Sequence, residues 1–159
     1  MNMRVASETI VSRATAVIEG LKSLEGPLLP ILHGLQAEFG YVPQETLVLI
    51  AGALNLSRAE VHGVMTFYHD YRDHPAGRHV LKLCRAEACQ SMGGDLIADR
   101  VKRALGIDFH GTTADGGVTL EPVYCLGLCA CAPAGMLDDE LWGRLDESSV
   151  AELVEEARR

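Results

Sequence analysis

Cys84 and Cys89 are separated by four residues, Cys125 and Cys129 by three, and 35 residues lie between the two pairs. No other feature of this 159-residue chain restricts its fold as strongly, because the surrounding pattern draws the pairs together. His79-Val80-Leu81-Lys82-Leu83 is short, apolar and bounded by turn signals, so it reads as a strand that ends at the first pair. Residues 116–123 read as a second strand that ends at the second pair. Between them, residues 91–105 place Leu96, Ile97, Val101 and Leu105 at helical spacing, with Gly106 as the stop. Two parallel strands joined by a crossover helix finish on the same side of their sheet. The spacing therefore predicts four thiols converging in loops at one sheet edge.

Four thiolates in two pairs match the needs of a 2Fe-2S cluster, which takes two per iron. Zinc is the chemical competitor, since four cysteines also build a closed tetrahedral site, but zinc more usually uses tight C-x-x-C turns, absent here. Buried or merely reactive thiols are the third alternative. Residues 88–94 and 126–127 are placed to bring backbone N–H groups to the sulfurs, and the N-terminus of the helix after Cys89 would favour negative charge. Cys131 is left over. Cys129-Ala130-Cys131 offers two candidates for the fourth ligand, and spacing does not choose between them.

The N-terminal half reads as helical. Residues 7–24 place Ile10, Ala14, Val17, Ile18 and Leu21 on one face before Gly26-Pro27 breaks the pattern. A second helix over 28–39 carries Ile31, Leu32, Leu35 and Phe39, with Pro30 in its first turn and Gly40 at its end. A third opens at Pro43 and closes at Asn55, and Ser57-x-x-Glu60 has capping-box spacing for a fourth through about Tyr68. Four short helices joined by short loops predict a small bundle. The polar stretch 70–77 is the domain boundary, dividing the chain into a helical bundle at 1–74 and an α/β domain at 75–159. In that domain, 134–137 and 141–145 read as a hairpin, and Ser149-x-x-Glu152 caps a last helix.

The formal net charge of −8 argues against nucleic acid and anionic membranes as partners. Residues 138–159 alone hold eight acids against three bases, which reads as a solvated face. Residues 1–8 carry no apolar leader core, and no run of 18 apolar residues exists, so the expectation is a cytoplasmic chain without direct membrane contact. Clustered cysteines in that compartment suggest metal or redox chemistry rather than structural disulfides.

Cys84-x4-Cys89 with Cys125-Leu126-Gly127-Leu128-Cys129-x3-Pro133 resembles the thioredoxin-like 2Fe-2S ferredoxin family, to which the small flavin-adjacent subunit of NADH:quinone oxidoreductase belongs. Leu35-Gln36-x-Glu38-Phe39-Gly40-Tyr41-Val42-Pro43, Val61-x-Gly63-Val64-x-Thr66-Phe67-Tyr68 and Pro75-x-Gly77 resemble further family signatures. Asp138-Asp139-x-Leu141-Trp142-Gly143-Arg144-Leu145 resembles its C-terminal hairpin. The resemblance implies a thioredoxin-like 2Fe-2S domain behind a helical bundle, with Cys84, Cys89, Cys125 and Cys129 as ligands. It selects Cys129 over Cys131 because the family's second pair is C-x3-C. It also puts Pro133 where this fold commonly holds a cis-proline. The run from Tyr71 to Cys89 most resembles the gamma subunits of soluble NAD-dependent molybdenum formate dehydrogenases. That implies a flavin- and NAD-binding partner and a larger molybdenum and iron–sulfur catalytic subunit. Subunits of respiratory NADH:quinone oxidoreductase and of NAD-reducing hydrogenases are the alternative.

The chemistry then expected is one-electron transfer, with no catalytic acid or base in this chain. Plant-type 2Fe-2S clusters lie at about −400 mV, a potential suited to exchange with a flavin that meets NADH. The six histidines show no metal-like spacing, and Gly93-Gly94 and Gly116-Gly117 are too sparse for a dinucleotide fingerprint. Phe39, Tyr41, Phe67, Tyr68 and Tyr71 either close the bundle core or offer a partner contact. Two rivals from other classes stand beside the electron carrier. One is a zinc-stabilised interaction module, the other a thiol-redox protein using Cys129 and Cys131.

Overall fold

The computed structural model describes residues 3–159, with side chains described from residue 9 onward. Residues 1–8, read above for a leader, lie outside the described side chains. The chain divides into two units, Met1–Pro75 and Ala76–Arg159.

The first unit is helical: α1 (Met3–Leu21), α2 (Leu28–Phe39), α3 (Thr46–Leu54) and α4 (Arg58–Phe67). Their apolar stripes meet in one core of Ala14, Ile18, Ile31, Leu32, Leu35, Val42, Leu47, Ile50, Val61 and Met65. Gly40 (φ 80°) and Asn55 (φ 54°) end α2 and α3 in the left-handed conformation expected of a stop. Ser57 and Glu60 form the full capping box of α4. Three expectations shift. The first helix begins at Met3 and ends at Leu21 rather than spanning 7–24. The third begins at Thr46 rather than Pro43, because the Pro43 carbonyl accepts both the Thr46 amide (2.9 Å) and its buried hydroxyl (2.7 Å) in a preceding turn. The aromatic residues split: Tyr71 joins the core, whereas Phe67 is 72% exposed and Tyr68 45%. Gln36, from the signature stretch, clamps the chain beyond α4 by donating to Asp70 O (2.8 Å) and accepting from Arg72 N–H (2.8 Å).

The second unit is a mixed sheet with helices: β1 (His79–Cys84), α5 (Glu87–Ser91), α6 (Gly94–Leu105), β2 (Gly111–Thr112), β3 (Val118–Val123), a 3₁₀ turn (Cys129–Cys131), β4 (Gly135–Leu137), β5 (Glu140–Trp142) and α7 (Glu147–Ala157). The strand order is β2-β3-β1-β4-β5, with β1 and β3 parallel and the other pairings antiparallel. Leu81 and Leu83 of β1, with Val118 and Leu120 of β3, pack against Ile97, Ala98 and Val101 of α6 and Val150, Leu153 and Val154 of α7. This is the expected α/β layout. The helix expected at 91–105 begins at Gly94, after the left-handed Gly93 (φ 88°), and a separate short helix, α5, precedes it. The strand expected over 116–123 starts at Val118, because residues 113–116 form a turn closed by Gly116 N–H to Thr113 O (2.8 Å). The last strand ends at Trp142, since Arg144 turns left-handed (φ 53°). The last helix starts at Glu147, capped by Asp146 instead of Ser149: the Asp146 carboxylate accepts from Ser149 N–H (2.9 Å) and the Ser148 hydroxyl (2.8 Å).

Two outcomes follow for stability. Leu120 is fully buried, so Leu120→Ala should destabilise the second unit by about 2–5 kcal/mol in denaturant unfolding; a wild-type midpoint would contradict this core. The capping bonds, first that from Ser149 N–H, lower the Asp146 carboxyl to about 2. A depressed folded-state pKa means the cap's contribution is complete above the ordinary carboxyl range and is lost as pH falls towards about 2. The melting difference between wild type and Asp146→Ala should therefore be widest near neutral pH and narrow progressively from about pH 4 down to about pH 2; a pH-independent gap would contradict it.

Candidate metal centre

The ends of β1 and β3 fix the first half of the centre. Cys84 stands in register with Val123, and the ladder continues one step through Arg85 N–H to Val123 O (2.7 Å). Cys84 N–H donates to Ala134 O (3.0 Å), which ties the segment after the 3₁₀ turn to the same point. Extended Ala86 then turns the chain into α5, whose third residue is Cys89. Cys84 and Cys89 are 5% and 2% exposed. They sit with Ala134 in a small apolar nest edged by Ala86, Val123, Leu126, Leu128 and Ala132. Cys89 therefore lies inside a short helix, not just before one. Residues 88–94 form α5 and the bend into α6.

The second pair lies in irregular backbone. Cys125 comes two residues after the end of β3 and has φ 123°, a conformation L-residues rarely adopt. Gly127 (φ 76°) turns the chain back so that its N–H donates to Cys125 Sγ (3.3 Å). Cys129 opens the 3₁₀ turn, and its Sγ lies 3.8 Å from that of Cys125. Both cysteines are exposed. Two thiolates on one tetrahedral metal with bonds of about 2.3 Å are separated by about 3.8 Å. The pair is thus spaced as two ligands of one metal.

The thiols sense one another across the pairs. Burial pushes the Cys89 thiol up, as does its hydrogen bond with Cys84, while the Ala134 amide facing it acts the other way. The Cys129 thiol is raised first by its hydrogen bond with Cys125 and by that neighbour's charge, with Cys84 adding a smaller electrostatic contribution. Among the described residues, no three His, Cys, Asp or Glu side chains enclose a single metal position. The donor set is two pairs of thiols, one buried and one exposed, which suits a two-iron cluster.

The structure thus joins Cys84 to Cys89 and Cys125 to Cys129, with the pairs electrostatically linked. Cys131 is half-buried at the end of the 3₁₀ turn, and its carbonyl accepts Arg144 N–H (2.6 Å). The Ala132–Pro133 peptide is cis. The Ala134 amide was not legible as a sulfur contact, because it arrives through the pairing of β4 with β1. Histidines have other partners: His79 meets Asp138 (2.8 Å), His110 meets Glu121 (2.7 Å), and His33 packs on Tyr71. Among the described residues, no helix is long and apolar enough to cross a membrane.

Comparison with known proteins adds a lineage. The profile of the thioredoxin-like [2Fe-2S] ferredoxin family matches residues 14–158. Over 151 residues the chain is 38% identical to the E subunit of NADH-quinone oxidoreductase from Pseudomonas aeruginosa, covering 95% of this chain and 91% of that protein. It is 40% identical over 131 residues to the corresponding protein of Mycobacterium bovis, covering 82% of this chain and 52% of that protein, so it spans about half that relative's length. The NADP-reducing hydrogenase subunit HndA of Solidesulfovibrio fructosivorans is 30% identical over 152 residues, 96% of this chain and 89% of that one. In fold the chain resembles part of an NAD+-reducing [NiFe]-hydrogenase in the air-oxidized state, with a TM-score of 0.69 and 23% identity. That likeness covers 82% of this chain and 22% of the other.

The burial difference predicts an order of reaction. In metal-free folded protein, iodoacetamide should label Cys125 and Cys129 before Cys84 and Cys89, which should react only on unfolding. Peptide mass spectrometry reads the order, and early labelling of the buried pair would contradict this geometry.

Proposed function

From its membership of the thioredoxin-like [2Fe-2S] ferredoxin family, to which the chain belongs, we propose that this protein is the small electron-transfer subunit of an NAD-linked oxidoreductase, docked beside a flavin- and NAD(H)-binding subunit. Its cofactor is one 2Fe-2S cluster. Cys84 and Cys89 hold one iron, and Cys125 and Cys129 the other. The observation that carries this reading is the 3.8 Å Cys125–Cys129 pair beside a buried Cys84–Cys89 pair. Bound there, the cluster supplies one-electron transfer.

The residues do the remaining work. Gly127 N–H and the Ala134 amide face sulfur, drain charge from thiolates and so ease addition of an electron. The apolar nest of Ala86, Val123, Leu126 and Leu128 keeps water from the inner pair. The exposed outer pair, beside Tyr124 at 76% exposure, is the side open to a partner. No side chain here needs to move a proton.

The parent complex is a finer reading. The run from Tyr71 to Cys89 supports the gamma subunit of an NAD-dependent formate dehydrogenase, with a larger molybdenum and iron–sulfur subunit converting formate to carbon dioxide. The names borne by the relatives support a subunit of NADH-quinone oxidoreductase or of a hydrogenase at least as well. Anaerobic purification of the tagged chain from its host tests both levels. Recovery with a flavoprotein and NAD-dependent formate oxidation supports the formate reading. Recovery with quinone- or hydrogen-linked NAD(P)H activity replaces it with the alternative, and recovery with no flavoprotein overturns the electron-transfer assignment.

The ligands are tested separately. Cys84→Ser and Cys125→Ser should each lose most bound iron, whereas Cys131→Ser should keep about two iron atoms per chain. Loss of iron from the Cys131 variant would overturn the choice of Cys129.

A further inference from the structure

Two glycines stand behind the cysteine pairs with little or no room for a methyl group. Gly94 opens α6 directly after the left-handed Gly93 that joins it to α5. A Cβ on Gly94 would lie 2.6 Å from the Cys89 carbonyl oxygen and 2.9 Å from its carbonyl carbon. These are backbone atoms of a sulfur-bearing residue, so no side-chain rotation relieves the clash. Gly143 follows β5 and lies against the 3₁₀ turn, where a Cβ would meet Cys131 Cβ at 3.0 Å and Cys131 O at 3.2 Å. The chain after Gly143 straps the same turn: Arg144 N–H donates to Cys131 O (2.6 Å) and Leu145 N–H to Pro133 O (2.9 Å). Each glycine leads straight into the hydrophobic core, through Ile97 and Ala98 of α6 in one case and buried Leu145 in the other.

We propose that Gly94 and Gly143 are positioning residues for the metal centre, the close approaches through which the hydrophobic core sets the place of the inner and the outer cysteine pair. The inference rests on the ligand assignment above. Packing of α6 on the sheet presses Gly94 onto the Cys89 peptide and holds that sulfur towards Cys84. Burial of Leu145 draws the strap onto Cys131 and holds the 3₁₀ turn that carries Cys129. Cys131 thereby acquires a task that is not ligation: it is the seat on which the strap closes. Gly106 provides the contrast. It ends the same helix α6 at φ 70°, and a Cβ there meets nothing within 4 Å. Its substitution strains α6 without touching a cysteine.

The test compares full-length chains carrying Gly94→Ala, Gly143→Ala or Gly106→Ala after identical reconstitution with iron and sulfide. Thermal melting is read beside the electron paramagnetic resonance g-values and reduction potential of the reduced protein. Gly94→Ala and Gly143→Ala should shift g-values and potential and weaken metal retention against a chelator by about 10- to 100-fold. Gly106→Ala should lower the melting temperature and leave g-values and potential at wild type. Adding Cys131→Gly to Gly143→Ala removes the Cβ it collides with and should return the g-values towards wild type. Should Gly94→Ala fail to fold, Gly143→Ala and its rescue decide. Unmoved g-values and potential in both glycine variants, with only stability lowered, would overturn the inference alone. A wild-type chain that takes up no iron would overturn the ligand assignment and this inference with it.

Discussion

The parallel ladder between β1 and β3 is the constraint on which the rest of the second unit depends. It sets Cys84 opposite Val123, so the chain leaves both strands at one edge with a cysteine at or just beyond each end. The crossover through α5 and α6 is obligatory for parallel neighbours. Placing Cys89 in α5, at the start of that crossover, returns a second thiol to the same edge. A one-residue slip of β1 would exchange buried Leu81 and Leu83 for Val80 and Lys82, and the core would resist it. The apolar face that stabilises the sheet therefore also fixes where the sulfurs stand.

The two cysteine pairs are held by different means. The inner pair belongs to regular structure, the last residue of a strand and the middle of a short helix, and is sealed by apolar neighbours. The outer pair occupies backbone that regular structure avoids, with Cys125 at φ 123° and Gly127 at φ 76°. Such conformations persist only where surrounding contacts over-determine them. Here the contacts are the Gly127 amide on Cys125 Sγ, the hydrogen bonds from Arg144 and Leu145, and, when bound, the metal itself. Metal binding and order of this loop are then coupled, because ligand–metal bonds add to folding free energy.

What the sequence made legible follows how local each signal is. The apolar run at 79–83 and the helical spacing of Ile97, Val101 and Leu105 were enough for strand, crossover and strand, and hence for convergence of the cysteines. α5 was not legible because its five residues make little more than one turn, and the spacing of Ile97, Val101 and Leu105 lies wholly in α6, beyond Gly93. β2 has only two residues, Gly111 and Thr112, too few for a periodic signal. The start of α7 was misplaced because Asp146 and Ser149 are both capping residues three positions apart. Burial of Leu145 and the left-handed turn at Arg144 decide for Asp146. Of the amides that face sulfur, that of Gly127 was legible in the Leu126-Gly127 stretch, whereas that of Ala134 depends on strand register, which no local pattern encodes. The aromatic group of the first unit divides between Tyr71 in the core and exposed Phe67 and Tyr68, a division set by helix packing rather than by composition.

Two thiol pairs, each holding one iron, form the redox-active cluster proposed for this chain. Its most direct test is the visible spectrum of the anaerobically purified full chain, recorded before and after dithionite. A two-iron cluster gives broad sulfur-to-iron bands that bleach on reduction, with iron and acid-labile sulfide in equal amounts. A chain that stays colourless after reconstitution with iron and sulfide, and holds stoichiometric zinc or no metal, would contradict it.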